Sequence, residues 1–199
     1  MRNLRYVEAS TEEETDMKRH QKFLAGCAAL AMGAGLAHAQ DATFGTDIDA
    51  DYAARLWSAM EEMNLAGDGM LRSFPYEGVE PHGMMLETFY TTASIDDHSG
   101  DLVIKRNYGP EGVTADEVLS DPDKHLAAIT VMFRREAGFD PENADWFWVK
   151  YLPDGTLDKN PKGMRLAGRV AKGMDAGCIA CHSGAGDDML FTTDHLPGQ

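Results

Sequence analysis

The 199-residue sequence is short of cysteine, of positive charge and of long apolar runs, and each shortage removes a class of protein. Three cysteines cannot build the dense disulfide framework of a small secreted scaffold. Eighteen Lys and Arg against 33 Asp and Glu leave a formal net charge of -15, which repels nucleic acid and anionic lipid. The one long apolar run, residues 23–36, is shorter than the ~20 residues a membrane-spanning helix needs and is rich in Gly and Ala. No internal repeat or low-complexity linker divides the rest, so the length suits one domain with its own core.

What surrounds the apolar run explains it. Lys18, Arg19 and Lys22 precede it and Ala37-His38-Ala39 follows, the three-part pattern of a secretory signal peptide cut after Ala39. Residues 1–16 are acidic and belong to no such signal, so translation is expected to begin at Met17 and residues 1–39 to carry no fold. Leu24-Ala25-Gly26-Cys27 has the pattern of a lipoprotein cleavage box, but too little apolar sequence precedes it for lipidation to be the main expectation. The expected domain is therefore residues 40–199, periplasmic, with no membrane span after cleavage. Its net charge stays at -15, because the segment removed holds five basic and five acidic residues. Such a surface keeps a protein soluble and suits a basic redox partner. Cleavage also removes Cys27, leaving Cys178 and Cys181 alone in an oxidising compartment.

Periodicity supplies a coarse map of the remainder. Leu56, Met60 and Met63 recur at helical spacing, widened by Tyr52, Ala53 and Trp57, which predicts a helix over residues 49–66 capped by Asp47 or Asp49 and ended by Gly67. Residues 67–83 hold four Gly and two Pro and read as a loop. Short runs rich in β-branched and aromatic residues predict strands over 84–92, 102–108, 126–135 and 146–151. Thr114-Ala115-Asp116-Glu117 reads as a capping box opening a brief helix that stops before Pro122. Pro153-Asp154-Gly155 is a turn closing the last strand, and the chain from about Met164 to residue 177 is expected to be helical. No crossover helix separates the first two strands, so the expected fold is α+β: an antiparallel β-sheet with flanking helices and a C-terminal site at Cys178.

That site is Cys178-Ile179-Ala180-Cys181-His182, the attachment signature of c-type haem. On one helical turn two thiols can each form a thioether with a haem vinyl group, while the next residue offers an imidazole to the iron. One covalent haem c is expected, with His182 as axial ligand. A structural zinc site would want four Cys or His ligands, and a thioredoxin-like pair would want a βαβ setting; a plain disulfide is the third alternative. Only 17 residues follow His182, and Met189 and His195 among them stand in an acidic tail. They are expected to be tail residues, which leaves the iron five-coordinate or weakly aquated. His82, His98 and His125 lie beside Pro, Gly or Asp and are expected to face solvent from loops.

Read in order, Leu102-Val103-Ile104-Lys105, then Ile129-Thr130-Val131-Met132-Phe133, then Asp145-Trp146-Phe147-Trp148-Val149-Lys150-Tyr151 with Pro153-Asp154-Gly155, and finally Gly177 to His182 resemble the cytochrome P460 family. The resemblance covers most of residues 50–190. It implies a β-rich fold that commonly dimerises, a C-terminal haem and a five-coordinate iron, in contrast to the four-helix cytochromes c′. Enzymes of the family oxidise hydroxylamine and join a lysine to the porphyrin edge, whereas their β-type cytochrome c′ relatives lack that bond and bind nitric oxide.

Lys105 stands at the position resembling the cross-linking lysine. Its amine must be neutral to form the bond, hence desolvated; the other reading is a solvated lysine on a polar strand face beside Arg106. Glu87, if it lines the distal pocket, would accept protons from hydroxylamine. The expected function is oxidation of hydroxylamine or removal of nitric oxide, with electrons passed to an external acceptor. The alternative is a non-enzymatic nitric oxide binder or electron carrier.

Overall fold

The fold comes from a computed structural model, which describes residues 43–191. The expected signal segment, Cys27 and His195 lie outside the described residues. Helix α1 spans Asp47–Glu62. Thr46 caps it: its Oγ1 accepts from Asp49 N at 3.1 Å, and the Asp49 carboxylate accepts from Thr46 N at 3.0 Å. The box is reciprocal, so Asp49 is its third residue and not the cap. The helix ends four residues before the expected Ala66, because Asn64 takes a left-handed turn (φ 55°) that still delivers Leu65 and Ala66 into the core.

Six strands follow in the order β1 (Tyr76–Glu77), β2 (Met85–Ile95), β3 (His98–Tyr108), β4 (Leu126–Arg134), β5 (Trp146–Tyr151) and β6 (Ala167–Gly168), each antiparallel to its neighbour. The architecture is thus α+β, as expected. The β2–β3 hairpin turns at Asp96-Asp97 with Asp96 at φ 53°, and its ladder runs on through polar residues such as Ser94 and Ser99, which no apolar pattern marks. Between β3 and β4 lie α2 (Ala115–Ser120), with both Thr114–Glu117 capping bonds formed, and the short α3 (Pro122–His125). Asp154 sits in the expected turn, where Leu152 N donates to Thr156 O at 2.8 Å. No helix among the described residues is long and apolar enough to cross a membrane.

The central strands are buried on both faces, and alternation sorts their side chains in two. Leu102, Ile104, Ile129, Val131, Phe133, Phe147, Val149 and Tyr151 pack under Tyr52, Ala53, Leu56 and Met60 of α1. Each such side chain contributes roughly 1.5–3 kcal/mol by burial. The Tyr151 hydroxyl donates to Ala53 O at 2.7 Å and pins the helix to the sheet. On the opposite face Val103, Met132, Trp146 and Trp148 gather with Phe44, Val170, Ala171, Ile179 and Met189. Among the described residues no long helix covers this second face.

The expected helix over residues 164–177 is not formed. That segment pairs as β6 and then winds through turns, with Gly168, Gly173, Gly177 and even Ala171 at positive φ, a conformation no helix contains. Gly168 (φ 100°) shows why: a Cβ there would lie 2.6 Å from the Asp49 carboxylate, so β6 can approach the start of α1 only as glycine.

Candidate functional site

The second face of the sheet and residues 160–191 enclose a cavity of about 480 Å³. That volume is in the range of pockets for small molecules and cofactors, roughly 300–1,000 Å³. Val103, Lys105, Thr130, Met132, Trp148 and Lys150 form its strand wall; His82, Leu166, Val170, Met174 and Phe191 close it from the loops. Cys178, Cys181 and His182 stand at one side of the same cavity.

The three motif residues occupy α4 (Cys178–His182), a single turn of helix. Gly177 opens it at φ 127°, and a Cβ there would collide with the Cβ of Ala171. Both cysteines are free thiols; Cys181 is exposed, and burial pushes the Cys178 thiol up to about 11. His182 is buried, and burial lowers its pKa below the usual imidazole value. Its Nδ1 lies 2.8 Å from Met189 O. A carbonyl only accepts, so Nδ1 carries the proton and the lone pair sits on Nε2. The rings of Trp148, Phe191 and His82 surround the imidazole at 4.8, 5.3 and 6.1 Å between centroids.

Charge is distributed unevenly around this space. Three lysines line it (Lys105, Lys150 and Lys162) and, among the described residues, no Asp or Glu does, although the whole chain is strongly acidic. Lys150 is paired with Asp158 at 2.9 Å. Lys105 is half-buried with no hydrogen bond or ion pair among the described residues, and burial lowers its pKa, a Cys181 thiolate opposing that shift. Trp148 Nε1 in the cavity wall is buried without an acceptor among the described residues. Such an orphaned group calls for an explanation in a native site.

Glu87 is not in this cavity. It pairs with Arg106 across β2 and β3, while Thr88 pairs with Lys105, and a one-residue step in a strand reverses the face. The carboxylate is fully buried under α1's side of the sheet, held by Arg106 at 3.0 Å, Arg72 at 2.9 Å and the Tyr108 hydroxyl at 2.8 Å. The histidines also depart from expectation. His82 lines the cavity, and burial first, then the charges of Lys105 and His182, push its pKa down to about 4. His125 is buried with Nδ1 3.1 Å from Gly109 O, and His98 Nε2 is 2.8 Å from Arg134 O. Met189 is buried rather than loose, and it meets His182 through its carbonyl, not its thioether.

No family model matches the chain, and neither the curated proteins nor the solved structures include a significant match. Among the described residues no group of three or more His, Cys, Asp or Glu side chains is arranged to hold a metal ion.

Proposed function

We propose that this chain is an exported mono-haem c protein of the cytochrome P460 type, with a five-coordinate iron, that oxidises hydroxylamine or removes nitric oxide and passes electrons to an external acceptor. The observation that carries the reading is the company Lys105 keeps. A desolvated amine without a counter-ion among the described residues shares one cavity with Cys178, Cys181 and His182.

The residues present fit a covalently held haem. Cys178 and Cys181 would form the thioethers and His182 Nε2 would face the iron, its other nitrogen being engaged by Met189 O. A largely apolar wall with lysines and no carboxylates suits a flat apolar group that carries two carboxylates of its own. Trp148 Nε1 gives an unspent donor in the same wall. When bound, the haem supplies a redox-active iron with an open coordination position. Lys105 would stand by the porphyrin edge, where its lowered pKa raises the neutral fraction able to bond; the bond would replace a porphyrin C–H and would need an outside two-electron oxidant such as a peroxide. His82, neutral near pH 7, is the base available in the cavity to take protons from hydroxylamine. The acidic surface suits a basic redox protein as acceptor, and export to the periplasm and dimerisation belong to the same proposal.

One observation favours the second reading, a nitric oxide binder that performs no turnover. With Glu87 on the other face, no carboxylate among the described residues lines the cavity to act as acid and base. The discriminating experiment is the ferrous absorption spectrum with hydroxylamine and nitric oxide titrations of the ferric protein. A strongly red-shifted Soret band that Lys105→Ala abolishes, with hydroxylamine consumed, supports the enzyme. An ordinary high-spin spectrum with rapid nitric oxide binding supports the binder, and binding of neither ligand contradicts both.

A further inference from the structure

Residues 186–191 lie against the edge of the second face and are tied there by three strands. From β4, the Arg134 guanidinium donates to the Asp188 carboxylate at 2.6 Å, to Asp101 at 3.0 Å and to Ala144 O at 2.7 Å, and it stacks over the Trp146 ring at 4.1 Å. From β5, Trp146 Nε1 donates to Asp188 O at 2.9 Å. From β2, the Tyr90 hydroxyl donates to Phe191 O at 3.1 Å. Between these anchors Met189 takes a left-handed conformation (φ 56°), unusual for its type, and so turns its carbonyl onto His182 Nδ1.

We infer that Arg134, Trp146 and Asp188 are positioning residues for His182. They fix the backbone at 188–189, and that backbone fixes the tautomer and ring orientation of the imidazole. A carbonyl accepting from Nδ1 also raises the basicity of Nε2, so the clamp tunes whatever electrophile Nε2 meets. Without it, a segment this close to the end of the fold would fray and carry its carbonyl away. Hydrogen bonds from a guanidinium fork to a carboxylate are the stronger kind, which suits the anchoring role. The consequence at iron rests on the haem reading above; the clamp itself does not.

The test uses the holoprotein and three variants: Asp188→Asn and Arg134→Lys, which leave the buried packing in place, and Trp146→Phe, which removes the indole donor together with part of a buried ring. Amide hydrogen exchange over residues 186–191 reads the clamp, with or without haem; the iron–imidazole stretching frequency of the ferrous protein and its reduction potential read His182. Each variant is expected to raise exchange at the Met189 amide roughly tenfold. The stretching frequency should fall and the potential rise in the same order of variants, Arg134→Lys least because it keeps one charged donor. Unchanged exchange in all three overturns the clamp. Faster exchange with frequency and potential unmoved overturns the positioning role, leaving only a structural one. A wild-type chain carrying no haem overturns the haem reading and the consequence at iron, and the exchange data separate that failure from failure of the clamp.

Discussion

Lys105 and Arg106 are consecutive residues of β3 that meet opposite surroundings. Arg106 points to the α1 side, is fully buried, and finds Glu87, the carbonyls of Leu65 and Leu71 and the ring of Phe89. Lys105 points the other way into the cavity and finds no partner among the described residues. A buried charge held by an ion pair and carbonyls is structural even though Arg106 Nε has no partner among the described residues, and removing the carboxylate is costly. A desolvated charge left without a partner in a cavity marks chemistry. The two faces of one sheet therefore differ: the α1 face holds the main core and the other face holds the candidate site.

The comparison can be broken, and the largest effect should come from the structural face. Glu87→Ala leaves Arg106 buried and unpaired, and should cost about 3–5 kcal/mol in denaturant unfolding of the holoprotein. A loss below about 1 kcal/mol would mean the network is not structural. Tyr108→Phe removes a single hydroxyl donor to the same carboxylate, and should cost about 1.5 kcal/mol by the same measurement. Thr46→Ala takes away the cap of α1, the element that covers this face, and should cost about 1 kcal/mol. The smallest change in stability should come from the cavity: Lys105→Met should leave unfolding within about 1 kcal/mol of wild type. That variant should nonetheless lose the red-shifted ferrous Soret band, which Tyr108→Phe keeps. Equal sensitivity of both faces to stability and spectrum would dissolve the distinction.

Much of this division could be read ahead of the structure, and the misses have physical causes. The four long strands and the Thr114–Glu117 capping box are legible because periodicity and capping chemistry are local, whereas α1 is capped by Thr46 and not by the expected Asp47 or Asp49. Lys105 and the Cys178–His182 motif line one cavity, whereas the sequence left a solvated Lys105 on a polar strand face equally open. Strands β1 and β6 are two residues each, too short for any alternation to show. The face of Glu87 stays open in the sequence because alternation along β2 fixes relative, not absolute, orientation; its pairing with Arg106 decides the side. His82 reaches the cavity through a loop with no periodicity of its own, closed by the bond from Gly78 N to Met84 O at 2.8 Å. Met189 acts through a backbone carbonyl, which side-chain identity does not encode. A positive φ at Gly168 and Gly177 forbids the helix expected between residues 164 and 177, and the glycines there were the available warning.

The proposed covalent attachment of haem at Cys178 and Cys181 is tested most directly by the intact mass of the protein. Made from Met17 with the c-type haem maturation machinery, the chain should lose residues 17–39 and gain the mass of one haem. Cys178→Ser with Cys181→Ser should abolish that gain. A mature wild-type chain of unaltered polypeptide mass, or one whose two cysteines are joined to each other, would contradict the central claim.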